Sequence, residues 1–450
     1  LERAHWHSRM GFVLAAAGSA VGLGNIWKFP YITGVNGGGA FVLVYLVCIA
    51  LVGLPVMAAE ILLGRASQKS PVGAFRVLGG GPWVLVGWLG VVCGFVILSY
   101  YSVVAGWALH YTWLAVTGQI AGLGPQGVEP LFNQLYQSGS LNLFWHAVFM
   151  IMTIAVVMGG VGKGIERWSR ILMPTLFGLM VILLANSFTM DGFAEGLDFI
   201  FGFHTENLTR DGVLEALGHA FFTLSLGMGA MLTYGSYLHE NDDIVSASVI
   251  ISVLDTVLAL TASLALFPII FTFGLEPGTG PGLVFVSVPI ALSQMTGGTF
   301  FAVVFFFLLV FAALTSAVSL LEVVTSYLID EKLWSRSRAA LVAGGVILVV
   351  GIPSALSGGT DLFGSSFAET VGRGRNWFDT FDYLATNWML PFGGLGIALF
   401  TAWRLDDAIR HRAFLEGTNL AVFYKGWLLL LKFVVPVGIA LVFLHAIGIL

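Results

Sequence analysis

The stretch GSAVGLGN, residues 18–25, lies inside an otherwise apolar run and decides the fold. Gly18, Gly22 and Gly24 weaken a helix from within, because each leaves the backbone without a Cβ and with extra freedom to lose. In hydrocarbon a loosened helix is costly. Every freed N–H and C=O must find a partner inside the protein, so a break survives only where protein or a cavity surrounds it. A second stretch, TLSLGMG at 223–229, carries Gly227 and Gly229 in the middle of another apolar run. Either cluster alone reads equally well as a small-residue packing face. Two at equivalent places in the chain point to paired broken helices.

The rest of the composition agrees with a membrane setting. The 450 residues are 57% hydrophobic and only 10% charged, against about 25% charged in soluble domains. A soluble body of this length needs a polar skin that 20 basic and 25 acidic residues cannot supply. That excludes a soluble enzyme, a nucleic-acid-binding domain and a disordered chain. The net charge of -5 offers no surface for a polyanion. Cys48 and Cys93 both lie in apolar runs and read as small buried hydrophobes.

A helix needs about 20 apolar residues to cross the hydrocarbon. Built around the charge-free runs, the spans read as about 10–34, 39–64, 83–115, 142–160, 166–188, 212–237, 242–272, 299–331, 338–355, 378–403 and 421–446. The run 77–128 divides into a long helix and an external loop, and the run 277–321 opens on a Gly/Pro-rich stretch before its helix. The fold expected is an all-α membrane protein with eleven transmembrane helices in a single domain over 1–450. Spans 1–5 (10–188) and 6–10 (212–403) form two sets that face opposite ways because five is odd, with 421–446 as helix 11. With the N-terminus in the cytoplasm, basic residues from Arg3 to Arg412 gather on the inner side, and the outer loops hold only Arg210, Arg373 and Arg375. The setting is then the inner (plasma) membrane, and an odd number of spans puts the C-terminus outside.

A break exposes carbonyls suited to a hard cation and, where the helix restarts, N–H groups suited to a carboxylate. Spans 1 and 6 together can therefore hold an amino acid and a sodium ion without a dedicated charged residue. Among the charges within the spans, Glu60 near the end of span 2, Asp255 in span 7 and Lys28 beside the first break are costly unless paired or coordinated. Asp255 reads as an ion ligand or as a partner of another helix. Lys28 can also snorkel to the headgroups.

Longer stretches carry a family resemblance. They are AAAGSAVGLGNIWKFPYITGVNGGGAFVLVYL (15–46), PVMAAEILLGR (55–65), SYYSVVAGW (99–107), GKGIERWSRILMPTLF (162–177), HAFFTLSLGMGAMLTYGSY (219–237) and FAALTSAVSLLE (311–322). The chain resembles a bacterial member of the neurotransmitter:sodium symporter family, with the leucine-transporter fold and discontinuous helices 1 and 6. The resemblance implies sodium-coupled amino-acid symport by alternating access, with two co-transported Na+ ions and no organic cofactor. It implies a neutral L-amino acid and the lipid bilayer as partners, with no nucleic acid and no obligate protein partner. An amino-acid sensor or receptor on the same fold is the alternative, and it would bind without accumulating. An enzyme would need an acid, base or nucleophile constellation at the cavity, and the residues there are apolar apart from one ion-site carboxylate.

By the same resemblance, the first sodium site uses the Ala20 carbonyl, Asn25, Thr223 and Asp255, completed by the substrate carboxylate. The second uses the Gly18, Val21 and Ala312 carbonyls with the hydroxyls of Thr315 and Ser316. All are oxygen ligands, as a hard ion requires. The substrate carboxylate meets the Leu23 and Gly24 N–H groups and the Tyr101 hydroxyl. Its amino group meets carbonyls at Ala20, Phe222 and Thr223 and the region of Ser225. Ile97, Tyr101, Phe222, Met228, Ser316 and Leu320 surround its side chain. Monoamine carriers of the family place an Asp where this chain has Gly22, which favours a substrate bringing its own carboxylate. No counter-charge lies among Ile97, Phe222, Met228 and Leu320, so neutral hydrophobic side chains are expected.

Tyr101 and Phe222 form the implied outer lid, with a Lys28–Asp382 ion pair above it. Arg3 and Asp330 pair at the inner side, with Trp6 and Tyr237 packed nearby, and Glu60 bonds the unwound span 6 backbone. The region from Gly164 to Pro174 is one the family unwinds to wet the inner path. Ala259 stands where chloride-dependent relatives have Ser, and Asp255 brings a fixed negative charge to that region, so transport is expected to be independent of chloride. His219 stands where relatives commonly have Gln, and an imidazole can replace the amide as a hydrogen-bonding group.

Overall fold

The computed structural model describes residues 3–276 and 281–450. Residues 277–280, the start of the Gly/Pro-rich stretch before span 8, lie outside them. The protein is an all-α, multi-span membrane protein. Among the described residues nine helices are long and apolar enough to cross a bilayer: Gly39–Ser67, Gly81–Val116, Gly139–Met158, Val161–Ser187, Ile244–Thr272, Gly298–Lys332, Arg336–Leu356, Trp377–Arg404 and Ala421–Ala446. A tenth is bent: Arg9–Ala20 and Gly24–Val35 meet at 56° across the glycine cluster.

Span 6 is divided more deeply. Helix Arg210–Thr223 stops, and helix Ala230–Gly235 begins only after the chain has crossed residues 224–229. Positive φ at Ser225 (55°), Gly227 (81°) and Gly229 (76°) sets the path. Gly227 is required twice over, since a Cβ there would also lie 2.4 Å from the Leu390 carbonyl oxygen. The freed Gly227 N–H donates to Glu60 Oε1 at 2.6 Å. A carboxylate from span 2 thus supplies what the interrupted ladder lost, as hydrocarbon demands.

Helix starts are capped from the sequence. Ser8 accepts from the Gly11 N–H, Thr209 from Gly212, and Asp243 from Val245 and Ser246. Spans 3 and 8 make the largest helix–helix contact of the bundle. The half-helix Arg9–Ala20 packs against spans 5, 7 and 8.

Two expectations shift. Span 5, expected from 166, begins at Val161, because the chain turns at Gly160 (φ 83°) and re-enters as a wide helical turn over Val161–Glu166. The external loop after span 3 contains the helix Gly124–Gln137, and Leu283–Gln294 in the Gly/Pro-rich stretch is also helical. Gly and Pro occupy the first turns there, where they end one element and open the next.

Candidate functional site

The two breaks face one cavity of about 720 Å³. Its wall includes Ala20, Gly22, Leu23, Gly24 and Asn25 of the first break and Phe222, Thr223, Ser225 and Met228 of the second. Ile97, Tyr101, Ser316 and Leu320 complete it from spans 3 and 8. Every residue assigned to the substrate from sequence therefore lines one space. Phe222 Cε1 would stand 3.4 Å from a Cβ at Gly24, so the ring covers the restart of span 1. The Tyr101 hydroxyl is buried without a protein hydrogen-bond partner among the described residues. It lies 3.4 Å from where a Cβ at Gly22 would stand, and Ser316 Oγ lies 3.1 Å from the same point.

Three of the residues assigned to the first ion converge. Asn25 Nδ2 donates to Asp255 Oδ1 at 2.7 Å and to Thr223 Oγ1 at 3.1 Å, while Asn25 Oδ1 accepts the Gly22 N–H at 2.9 Å. Thr223 Oγ1 lies 3.2 and 3.0 Å from the two Asp255 oxygens. All three are buried. A carboxylate, an amide and a hydroxyl from spans 1, 6 and 7 thus share one oxygen-rich pocket beside the first break.

The residues assigned to the second ion divide. Ser316 Oγ reaches across from span 8 to the carbonyls of Gly18 (3.3 Å), Ser19 (3.2 Å) and Val21 (3.2 Å). Thr315 Oγ1 instead bonds its own helix, at the Phe311 and Ala312 carbonyls, 3.1 Å each. Thr315 still closes on span 1: its Cβ would be 3.0 Å from a Cβ at Gly18, so a larger residue there would have to push span 8 away by a few tenths of an ångström.

One end of the bundle is shut and the other is not. Arg3 Nη1 contacts both oxygens of Asp330 at 2.6 Å, and Asp330 also accepts the Ser70 N–H at 2.6 Å. The Arg3 guanidinium lies 4.7 Å over the Tyr237 ring and donates to Ser236. Trp6 donates its indole N–H to the Tyr234 carbonyl at 2.9 Å and its backbone N–H to Tyr237 at 3.1 Å. The Tyr237 hydroxyl donates to Glu322, which Arg336 grips with two bonds of 2.8 Å. Sequence reading missed Ser70, Ser236, Glu322 and Arg336. Glu322 closes the quoted span 8 motif, but nothing in the chain names its partners.

At the opposite end the cavity runs past Lys28, Glu215 and Asp382 to Asp211, whose side chain is 75% exposed. The expected Lys28–Asp382 ion pair is absent among the described residues; Lys28 Nζ instead lies 5.9 Å from the Phe222 ring centroid. Both side chains line the same cavity. His219 also lines the cavity, packed against Phe29 and Tyr45 at 5.6 and 5.9 Å, with neither ring nitrogen hydrogen-bonded to a described residue.

A further tie holds the start of span 5. Glu166 accepts from the His7 backbone N–H (2.8 Å) and from Arg170 (2.6 Å), and its carboxylate fills the space a Cβ at Gly11 would need. The Gly164–Pro174 segment is thus pinned to the residues preceding the first helix.

The model of the sodium:neurotransmitter symporter family matches residues 3–122 and 126–447. A Bacillus subtilis protein described as an uncharacterized sodium-dependent transporter, YhdH, is 40% identical, over 99% of this chain and 98% of its own. An uncharacterized sodium-dependent transporter of Haemophilus influenzae is 33% identical over 98% of each. The crystal structure of MhsT in complex with L-phenylalanine superposes with a TM-score of 0.90 at 45% identity, covering 99% of this chain and 100% of that one. With two broken helices facing one cavity and this likeness along its whole length, the chain belongs to the sodium:neurotransmitter symporter family.

Proposed function

We propose that this protein is a sodium-coupled, chloride-independent symporter of neutral hydrophobic amino acids, phenylalanine among them, working by alternating access. It is a transporter and not an enzyme. The observation that carries the reading is the convergence of Asn25, Thr223 and Asp255 beside the Gly22 break. A sodium ion bound there takes oxygens of Thr223 and Asp255 and, once its amide turns, the Asn25 oxygen, with a substrate carboxylate completing the shell. Ion and substrate then each raise the other's affinity, by reciprocal linkage.

A second sodium ion binds between the Gly18 and Val21 carbonyls, the Ala312 carbonyl, Thr315 and Ser316. Taking it up exchanges the hydrogen bonds of Thr315 and Ser316 for ion contacts and ties span 1 to span 8. The substrate carboxylate lies at Leu23, Gly24 and Tyr101, and its amino group lies at Ala20, Phe222, Thr223 and Ser225. The Tyr101 hydroxyl supports this placement, since a buried donor without a partner is costly until a ligand satisfies it.

The architecture behind the cycle is eleven spans: an inverted pair of five-helix repeats, 10–188 and 212–403, followed by 421–446. The N-terminus lies in the cytoplasm and the C-terminus outside. In that orientation the Arg3–Asp330 end faces the cytoplasm and the structure is outward-facing. Closure brings Phe222 and Tyr101 over the substrate and draws Lys28 toward Asp382. Inward opening then breaks the Arg3 and Tyr237 contacts and frees the inner half of span 1.

Uptake of radiolabelled phenylalanine into sealed proteoliposomes tests the reading. Accumulation driven by an inward sodium gradient, and lost when potassium or choline replaces sodium, is the expected result. Saturable binding without accumulation would make the protein a sensor.

A further inference from the structure

Two serines that the ion and substrate assignments leave unused also line the cavity. Ser19 Oγ and Ser319 Oγ lie 2.7 Å apart, joining spans 1 and 8, and both side chains are buried. A hydroxyl has one proton to give and two lone pairs to offer. Ser319 gives its proton to the Ser316 carbonyl at 2.8 Å, so the proton between the pair comes from Ser19. Ser225 and Ser316 likewise spend their protons on span 1 carbonyls. The lone pairs remain. No protein donor among the described residues reaches Ser19 Oγ, and Ser319 Oγ receives only the Ser19 proton.

We infer that Ser19 and Ser319 are a specificity-determining acceptor pair for a hydrogen-bond donor at the end of an aromatic substrate side chain, an indole N–H or a phenol O–H. This rests on the substrate site proposed above. Ser316, Ser319 and Leu320 share one face of span 8 at i, i+3 and i+4 spacing. The acceptors therefore stand next to an apolar wall to which Ile97 and Met228 also contribute. An aromatic ring fills the apolar part of that wall and carries its one donor to the serines. A hydrocarbon of the same size leaves their lone pairs dry. Without the acceptors, the cost falls on the phenol or indole, whose donor is stripped of water and left unpaired.

Binding to the purified full-length protein in saturating sodium tests this, with ligand pairs that differ only in the donor: tyrosine against phenylalanine, and tryptophan against its indole N-methyl derivative. In Ser319→Ala the tyrosine-to-phenylalanine affinity ratio should fall roughly three- to tenfold while phenylalanine affinity stays within about twofold. The tryptophan ratio should fall in parallel. Ser319→Thr, which keeps the oxygen, should restore both ratios, and Ser19→Ala should lower them independently if Ser319→Ala fails to fold. Unchanged ratios alongside intact phenylalanine binding would overturn the acceptor pair. Absence of sodium-dependent phenylalanine binding in the unaltered protein would instead overturn the substrate site, and this inference with it.

Discussion

Asn25 Nδ2 lies 2.7 Å from Asp255 Oδ1, so the residue that follows the first break is tied directly to a carboxylate in span 7. Thr223, at the last turn before the second break, bonds the same carboxylate. Replacing Asp255 by Asn preserves the shape of this cluster and removes its charge. Interactions with a charged partner are worth about 1.5–3 kcal/mol, so the sodium concentration for half-maximal phenylalanine binding should rise roughly tenfold or more. Sodium titrations of the two proteins decide it; coincident curves would take Asp255 out of the ion site. In the unaltered protein, replacing chloride by gluconate at constant sodium should leave the initial uptake rate unchanged.

Gly22→Asp should weaken amino-acid binding at least about tenfold. The new carboxylate would share a poorly solvated cavity with the substrate carboxylate, where one to two pKa units of mutual destabilisation is about 1.4 to 2.7 kcal/mol. A Cβ at this position already comes within 3.1 Å of Ser316 Oγ, so Gly22→Ala measures the steric share by itself. If aspartate costs no more than alanine, the substrate carboxylate lies elsewhere.

Glu60 should tolerate glutamine and not alanine. Its Oε1 accepts the Gly227 N–H, and its Oε2 has no partner among the described residues. Glutamine keeps one acceptor oxygen, so Glu60→Gln should retain binding within a few-fold. Glu60→Ala leaves the Gly227 N–H buried and unpaired, a loss of about 1–3 kcal/mol, and should lower both thermal stability and uptake. Equal behaviour of the two variants would show that the carboxylate does not hold the break.

Loss of the second ion should loosen the inner end. Met173, buried in span 5, has its sulfur 3.1 Å from the Cβ position of Gly18, so a cysteine there becomes reachable only when the inner half of span 1 moves. With Cys48 and Cys93 replaced, sodium should slow labelling of Met173→Cys from the cytoplasmic side. Adding Thr315→Ala and Ser316→Ala should abolish most of that protection, and Arg3→Ala should raise labelling several-fold even in sodium. Full sodium protection in the double alanine protein would place the latch outside span 8.

The parts of the site legible in the sequence are those whose chemistry is out of place locally. Glycine clusters inside apolar runs announced both breaks, and Glu60 and Asp255 stood out as carboxylates in hydrocarbon-length segments. The Lys28–Asp382 pair is not formed in this structure for a different reason: whether two gate residues touch depends on which end of the bundle is open, and one sequence serves every state of the cycle. Ser19 and Ser319 are 300 residues apart, and each alone is an ordinary small residue in a helix. The Gly124–Gln137 helix was hidden by Gly124, Pro125 and Pro130, which read as loop until the flanking spans fix where it must run.

Ser316 meets span 1 through the oxygens of Gly18, Ser19 and Val21, all of them main-chain atoms. No codon change deletes a peptide carbonyl. Ile97, Met228 and Leu320, by contrast, meet the cavity through side chains that a single base change can resize. On its span 1 side this contact is therefore written in the backbone, whereas the wall that judges the cargo is written in side chains. Ile97, Met228 and Leu320 can be retuned toward a new amino acid while the span 1 carbonyls that Ser316 meets keep their form.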